Sequence, residues 1–314
     1  MSYAHELKEE ICKNLLASRE EKIAQAYGLL LFSKNFSRSG LSIQTENEQT
    51  ARLFCSYILE LVGIKTSIIY SEFEKRNGVT IFTAAVEAEE DRRNILSFFG
   101  HSANELRLQI CKQNLQSEKA MAAFVSGVYL ACGNITDPYK NYHLEFITPH
   151  MHLCNDLIKV LAQVNIQLKL TRRRSAYVAY LKESEAIEDI MTYMGATACS
   201  LSLMNIKIYK DIRNKVNRVT NCETANIEKT VAASAVQCED INYILAKGGV
   251  EFLPDGLREL ALLRSENPEM SLRELGETLT TPLTRSGINH RLKRLSAIAN
   301  ELRAGKMRPA KRSK

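Results

Sequence analysis

Hydrophobic positions change their period along the chain, and the changes mark the elements. Leu41, Ile43 and Thr45, and again Leu144, Phe146 and Thr148, occupy alternate positions, which predicts strands with one face buried. Near the C-terminus the spacing becomes helical. Leu272, Leu275, Gly276 and Leu279 recur at i, i+3, i+4 and i+7 behind Ser271 and Glu274, the pair of a capping box, and Pro282 closes the segment. Thr284 can then cap a second helix running to about Arg303. Two helices joined by a turn of three or four residues form a helix-turn-helix element.

Turning the second helix by 100° per residue from Ile288 sorts its residues into faces. Leu292, Leu295, Ala299 and Leu302 fall within about 40° of Ile288 and form the buried stripe. Ser286, Asn289, His290 and Lys293 lie on the opposite side, in the first two turns. Asn suits adenine, Lys suits guanine, and Ser or His can donate or accept, so these four are candidate base contacts. Arg273 on the first helix and Arg285, Arg291 and Arg294 around the second are candidate phosphate contacts.

The front two-thirds repeats itself. AYGLLLFSKNF, GLSIQTENEQTARLFCSYILELVGI, KTSIIYSEF and GVTIFTAAVEAEEDRRNILSFFG are followed, at an offset of roughly 95 to 103 residues, by VSGVYLACGNI, YHLEFITPHMHLCNDLIKVLAQVNI, QLKLTRRR and AYVAYLKESEAIEDIMTYMG. Each copy reads as a short apolar helix holding a glycine (Gly28, Gly127), a strand, an amphipathic helix, two strands on a turn, and a helix ending in glycine (Gly100, Gly195). Gly28 and Gly127 would let the two short helices approach closely about a pseudo-twofold axis.

Charge then separates the two ends. Ten Lys or Arg and a single acid, Glu301, follow Thr284, whereas the whole 314-residue chain is only +6, so the basic end sits on a mildly acidic body. That asymmetry points to a polyanion partner for the end. No apolar run reaches membrane-span length, and MSYAHELKEEICKNLL has acids where a signal peptide needs an apolar block, so the protein is expected in the cytoplasm. Eight cysteines without a C-x-x-C pair read as reduced thiols, mostly filling core space. In HMHLC, alternation could put His150, His152 and Cys154 on one face for zinc. A loop leading into a helix is the favoured reading, and neither metal nor cofactor is expected.

The duplication resembles the LAGLIDADG homing-endonuclease fold, carried by AYGLLLFSK (26–34) and VSGVYLACG (125–133). In that family the residue before the last glycine is an acid that holds the catalytic divalent ion; here those places are Ser33 and Cys132. Neither replaces a carboxylate for Mg²⁺. Asp137 and Glu145 lie further along the second copy, but the first copy has no matching acid, so two-metal cleavage lacks a scaffold.

NRVTNCETANIEKTV, FLPDGLRELALLRSENPEMSLRELGETL, SGINHRLKRL and AFVSGVYLACGNITDPYKNYHLEF resemble segments of the WhiA family of bacterial regulators. The resemblance implies an α+β protein: a duplicated LAGLIDADG-like pseudo-twofold domain at 1–200 (halves 1–105 and 106–200), a basic linker at 201–222, an all-α helix-turn-helix domain at 223–304, and a disordered basic tail at 305–314. Within the linker, Lys207 to Arg218 holds a single acid, Asp211, and either lies on phosphates or is a solvated connector. The resemblance further implies a nucleoid-associated, non-enzymatic transcription regulator. It would bind double-stranded DNA as a monomer, with other transcription or division proteins as further partners, in sporulation, cell division or chromosome segregation. The alternative is a non-catalytic nucleoid scaffold whose front domain binds a protein; TRRRS (171–175) at a strand turn favours DNA contact by that domain.

Overall fold

The computed structural model describes residues 2–64, 67–76, 78–102 and 107–306. The expected tail beyond residue 306 and the expected boundary between the halves at 105/106 lie outside the described residues. The chain divides into two compact units, Met1–Asp211 and Ile212–Lys314.

In the first unit, α1 (Tyr3–Lys13) precedes two copies of one arrangement. The first copy is α2 (Arg19–Leu31), β1 (Asn35–Ser37), β2 (Gly40–Thr45), α3 (Glu48–Tyr57), β3 (Ile68–Glu74), β4 (Thr80–Val86) and α4 (Glu89–Phe98). The second is α5 (Glu118–Cys132), β5 (Gly133–Ile135), β6 (Leu144–Thr148), α6 (Met151–Ala162), β7 (Lys169–Arg173), β8 (Ala176–Leu181) and α7 (Ser184–Tyr193). Both sheets are antiparallel, ordered β1-β2-β4-β3 and β5-β6-β8-β7. β1 and β5 are additions to the expected pattern; three residues are too few to show an alternation. Leu41, Ile43, Thr45, Leu144, Phe146 and Thr148 are all buried, as their alternation requires.

Helices α2 and α5 form the centre, and glycine sets their separation. A Cβ on Gly28 would stand 2.2 Å from the carbonyl oxygen of Phe124, and one on Gly127 would stand 2.1 Å from that of Gln25. Each helix therefore touches the other's backbone, and a buried Gln25–Ser126 hydrogen bond of 2.8 Å crosses the same contact. At the far ends of the copies, Gly100 and Gly195 take φ of 81° and 84°, the left-handed conformation that closes a helix without a Cβ penalty.

Helix α1 locks the unit's beginning to its end. Leu7 and Ile11 are buried, while the Glu10 carboxylate accepts from the backbone N–H groups of Ala198 (2.7 Å) and Cys199 (2.8 Å). Those two donors open α8 (Thr197–Gly248), so a carboxylate satisfies the orphan amides of a helix start. Residues 201–222, expected as a linker, are helical and belong to α8.

The second unit holds the rest of α8 with α9 (Asp255–Glu266), α10 (Leu272–Thr278) and α11 (Arg285–Arg303). Its core joins Ile241 and Ile244 of α8 to Leu257, Leu260, Leu275, Ile288, Leu292 and Leu295. Arg264 is 1 % exposed within this unit. Its guanidinium donates to Gln237 Oε1 (3.0 Å) and to the Met270 carbonyl (2.6 Å), joining α8 to the segment that enters α10. Burial pulls its pKa below the ordinary value. Replacing it, Arg264→Met, leaves those acceptors without a donor; we expect a loss of about 2–4 kcal/mol, read as a lower urea midpoint.

Candidate nucleic-acid interface

Capping fixes both helices of the C-terminal motif. Ser271 Oγ accepts from Glu274 N (3.3 Å) while Glu274 Oε2 accepts from Ser271 N (2.7 Å), the reciprocal pair expected of a capping box. Thr284 Oγ1 accepts from Gly287 N (3.3 Å) at the start of α11. The connection between the helices is Leu279 to Thr284, longer than the expected three or four residues. Glu259 of α9 holds its middle by accepting from both N–H (2.7 Å) and Oγ1 (2.8 Å) of Thr280. Gly276 lets the returning chain pass close: a Cβ there would be 2.3 Å from the Leu283 carbonyl, whose own residue donates to Gly276 O at 3.0 Å.

The faces of α11 fall where the helical angles place them. Ile288, Leu292, Leu295, Ala299 and Leu302 are buried, with Ile298 added to the stripe. Ser286, His290 and Lys293 are exposed and Asn289 is half-buried. Among the described residues, Arg285, Lys293 and Arg294 form no ion pair, so their charge is available to an external anion. Arg273 is exposed and pairs with Glu277 at 2.9 Å. Arg291 donates one guanidinium N–H to the Gly256 carbonyl at 2.8 Å, aligning α11 on α9 and leaving its other donors for an external acceptor.

Ser33 and Cys132 are the places that the resemblance sets against the nuclease acids. Ser33 Oγ donates to the Leu30 carbonyl (2.7 Å) and the Asn35 carbonyl (3.2 Å). Burial pushes the Cys132 thiol up to about 12. Nearby, Lys8 Nζ donates to the Leu130 carbonyl at 3.1 Å. At pH 8 a thiol with that pKa is roughly one part in ten thousand thiolate. Iodoacetamide should therefore label exposed Cys222 long before Cys132, which peptide mass mapping over time checks. All eight cysteines are unpaired; Cys154 and Cys199 belong to the front unit's core and Cys12, Cys55, Cys111 and Cys132 pack against it, as expected of thiols that mostly fill core space.

Other candidates of the front unit separate. His150 and His152 open α6 whereas Cys154 is buried in the core, so the three do not share a face. Helical rather than extended backbone removes the alternation. Glu145 is engaged by Arg173 (2.8 Å) and His143 (3.0 Å). In the TRRRS turn, Arg172 lies over the Tyr177 ring and Arg173 faces Glu145. On the first sheet, Ser42, Gln44, Ser71, Phe73 and Thr83 share the face opposite the buried Leu41, Ile43 and Ala84, and the strand residues on that face carry no cation.

A duplicated α+β unit built on two glycine-apposed helices, followed by a capped helix-turn-helix, defines a LAGLIDADG-like protein with a C-terminal DNA-binding motif. Family descriptions agree domain by domain: the WhiA LAGLIDADG-like domain matches residues 121–213 and the WhiA C-terminal HTH domain matches residues 216–299. The chain is 37 % identical over 317 residues to "Probable cell division protein WhiA" of Clostridium botulinum strain Hall, covering 97 % of this chain and 100 % of that protein. It is 36 % identical to the protein of the same name in Thermoanaerobacter pseudethanolicus, over 96 % and 98 % of the two chains. The crystal structure of full-length DUF199/WhiA from Thermotoga maritima superposes with a TM-score of 0.57 at 24 % identity, covering 96 % of this chain and 99 % of that one. The chain belongs to the WhiA family.

Proposed function

We propose that the chain is a sequence-specific DNA-binding transcription regulator acting in cell division, chromosome segregation or sporulation, without cutting DNA. The observation that carries this reading is the α11 face: polar side chains in the first two turns, arginines beside them without an ion pair among the described residues, and a packed stripe behind. In this geometry α11 enters the major groove, Ser286, Asn289, His290 and Lys293 meet base edges, and α10 crosses the backbone. Arg273, Arg285, Arg291 and Arg294 neutralise phosphates, and the bond from Arg291 to the Gly256 carbonyl also sets the angle of the helix.

The absence of cleavage is supported by donor chemistry. A divalent ion needs hard, anionic oxygens. Ser33 is turned onto backbone carbonyls, Cys132 stays a thiol, and Glu145 is paired with Arg173. Such a protein works at the nucleoid.

A second reading gives the front unit a protein partner. It is favoured by the uncharged strand residues of the first sheet's open face, where Phe73 is 69 % exposed, since DNA selects cationic surfaces.

Selection of bound sequences from a random duplex pool, using the full-length chain at physiological salt, tests the primary reading. Enrichment of one motif is expected, with supercoiled plasmid left intact in Mg²⁺ or Mn²⁺. Uniform recovery of the pool removes sequence specificity, and nicking removes the non-cleaving assignment.

A further inference from the structure

Beside the α11 face lies a groove of about 450 Å³ to which α8 contributes one wall. Lys229, Ala233 and Gln237 follow one another at i, i+4 and i+8 on that wall; Arg273 of α10 and Arg285 and Asn289 of α11 face them. No Asp or Glu lines the groove. The arrangement is held from beneath by buried Arg264, which binds Gln237 on one side and the Met270 carbonyl at the entrance to α10 on the other. Three exposed cations from three different helices, Lys229, Arg273 and Arg285, thus converge on one concavity that also contains a base-reading candidate.

Like charges gathered on a concavity whose lining holds no acid repel one another, so an entering anion stabilises the cluster. Lys229 has no ion pair among the described residues, and Arg273 has one highly exposed partner, Glu277. An asparagine reaching a base edge from this groove sits a few ångströms from the backbone of the strand it reads. A phosphodiester is the anion that would reach all three cations while Asn289 holds its base.

We propose that Lys229 of α8 is a DNA-phosphate contact, and that α8 forms a third wall of the interface alongside α10 and α11. The inference rests on the reading of α11 as the DNA-recognition helix. It assigns to the long helix a part in binding that the two helices of the motif alone do not include.

The experiment compares full-length wild type, Lys229→Ala, Lys229→Arg and Lys247→Ala, measuring DNA affinity from 50 to 200 mM salt. Lys229 and Lys247 are both exposed on α8, but Lys247 lies about 27 Å along the helix from Lys229. Lys229→Ala should weaken binding roughly five-fold at 0.15 M salt, equally on selected and unrelated duplexes, and lower the log–log salt slope by about 1. Lys229→Arg should keep both at the wild-type level, and Lys247→Ala should change neither. Wild-type affinity and slope in Lys229→Ala would overturn the inference while leaving the reading of α11 intact. Equal losses in Lys229→Ala and Lys247→Ala would also overturn it, because general charge would then account for the effect. Absence of DNA binding by wild type would overturn the α11 reading itself. Pyrophosphate alone, titrated by NMR, should shift groove resonances only at millimolar concentration; micromolar saturation would make a free anion the ligand and overturn the DNA assignment.

Discussion

Gly127→Ala should lower the urea midpoint and the thermal midpoint of the chain more than any single surface change. The added methyl would lie 2.1 Å from the Gln25 carbonyl oxygen and 2.9 Å from the Leu29 nitrogen, both backbone atoms of the facing helix. No rotamer change relieves such a contact; α2 and α5 must separate. Overpacking costs typically 1–3 kcal/mol where side chains can give way, and here only helices can, so about 3 kcal/mol or more is expected. For a domain of this size that corresponds to a fall of roughly 6–12 °C. Gly256→Ala is the matched control, since a Cβ there meets nothing within 4 Å and it sits in the first turn of α9. The control should be neutral or slightly stabilising. Equal stability of the two variants in calorimetry would mean that the helices are not apposed through Gly127.

Asn289→Ala should remove discrimination at one base position of the selected motif, at a cost of about 1–3 kcal/mol, or roughly five- to 150-fold in affinity for that base. Lys293→Ala should do the same at a neighbouring position, because the two residues lie four apart on one exposed face. Neither change touches the buried stripe of Ile288, Leu292 and Leu295, so unfolding midpoints should stay within about 0.5 kcal/mol of wild type. A loss of affinity spread evenly over all sequences would place these side chains on phosphates instead. An unchanged motif would take them off the reading face.

Much of this architecture is written in short-range patterns. Helical spacing located α11 and its two faces, because a 100° step relates each residue to its neighbours without reference to the rest of the chain. The same holds for the capping pair Ser271–Glu274 and for the two central glycines, whose repetition at matching places in the copies reveals the duplication. What escaped was long-range. The Glu10 cap on α8 spans nearly the whole front unit in sequence, and nothing local at Glu10 announces it. Arg264 stands near the end of a helix, where a cation ordinarily faces water, and only the fold shows it buried among three acceptors. The resemblance implies a basic linker at 201–222, with phosphate contact and solvation both open for 207–218; most of these residues are exposed, and their backbone is helical within α8. The angle of Arg291 on α11 says nothing of its added contact with Gly256, which belongs to a neighbouring helix. Lys229 was missed for the same reason, lying more than fifty residues from the helix whose face it borders.

Genome-wide occupancy of the wild-type chain beside the paired Asn289→Ala, Lys293→Ala variant tests the central claim most directly. The account expects discrete peaks at promoters for wild type and their loss in the variant at equal protein level. Broad occupancy that the variant leaves unchanged would contradict it, and would make the front unit the part of the protein that decides where it goes.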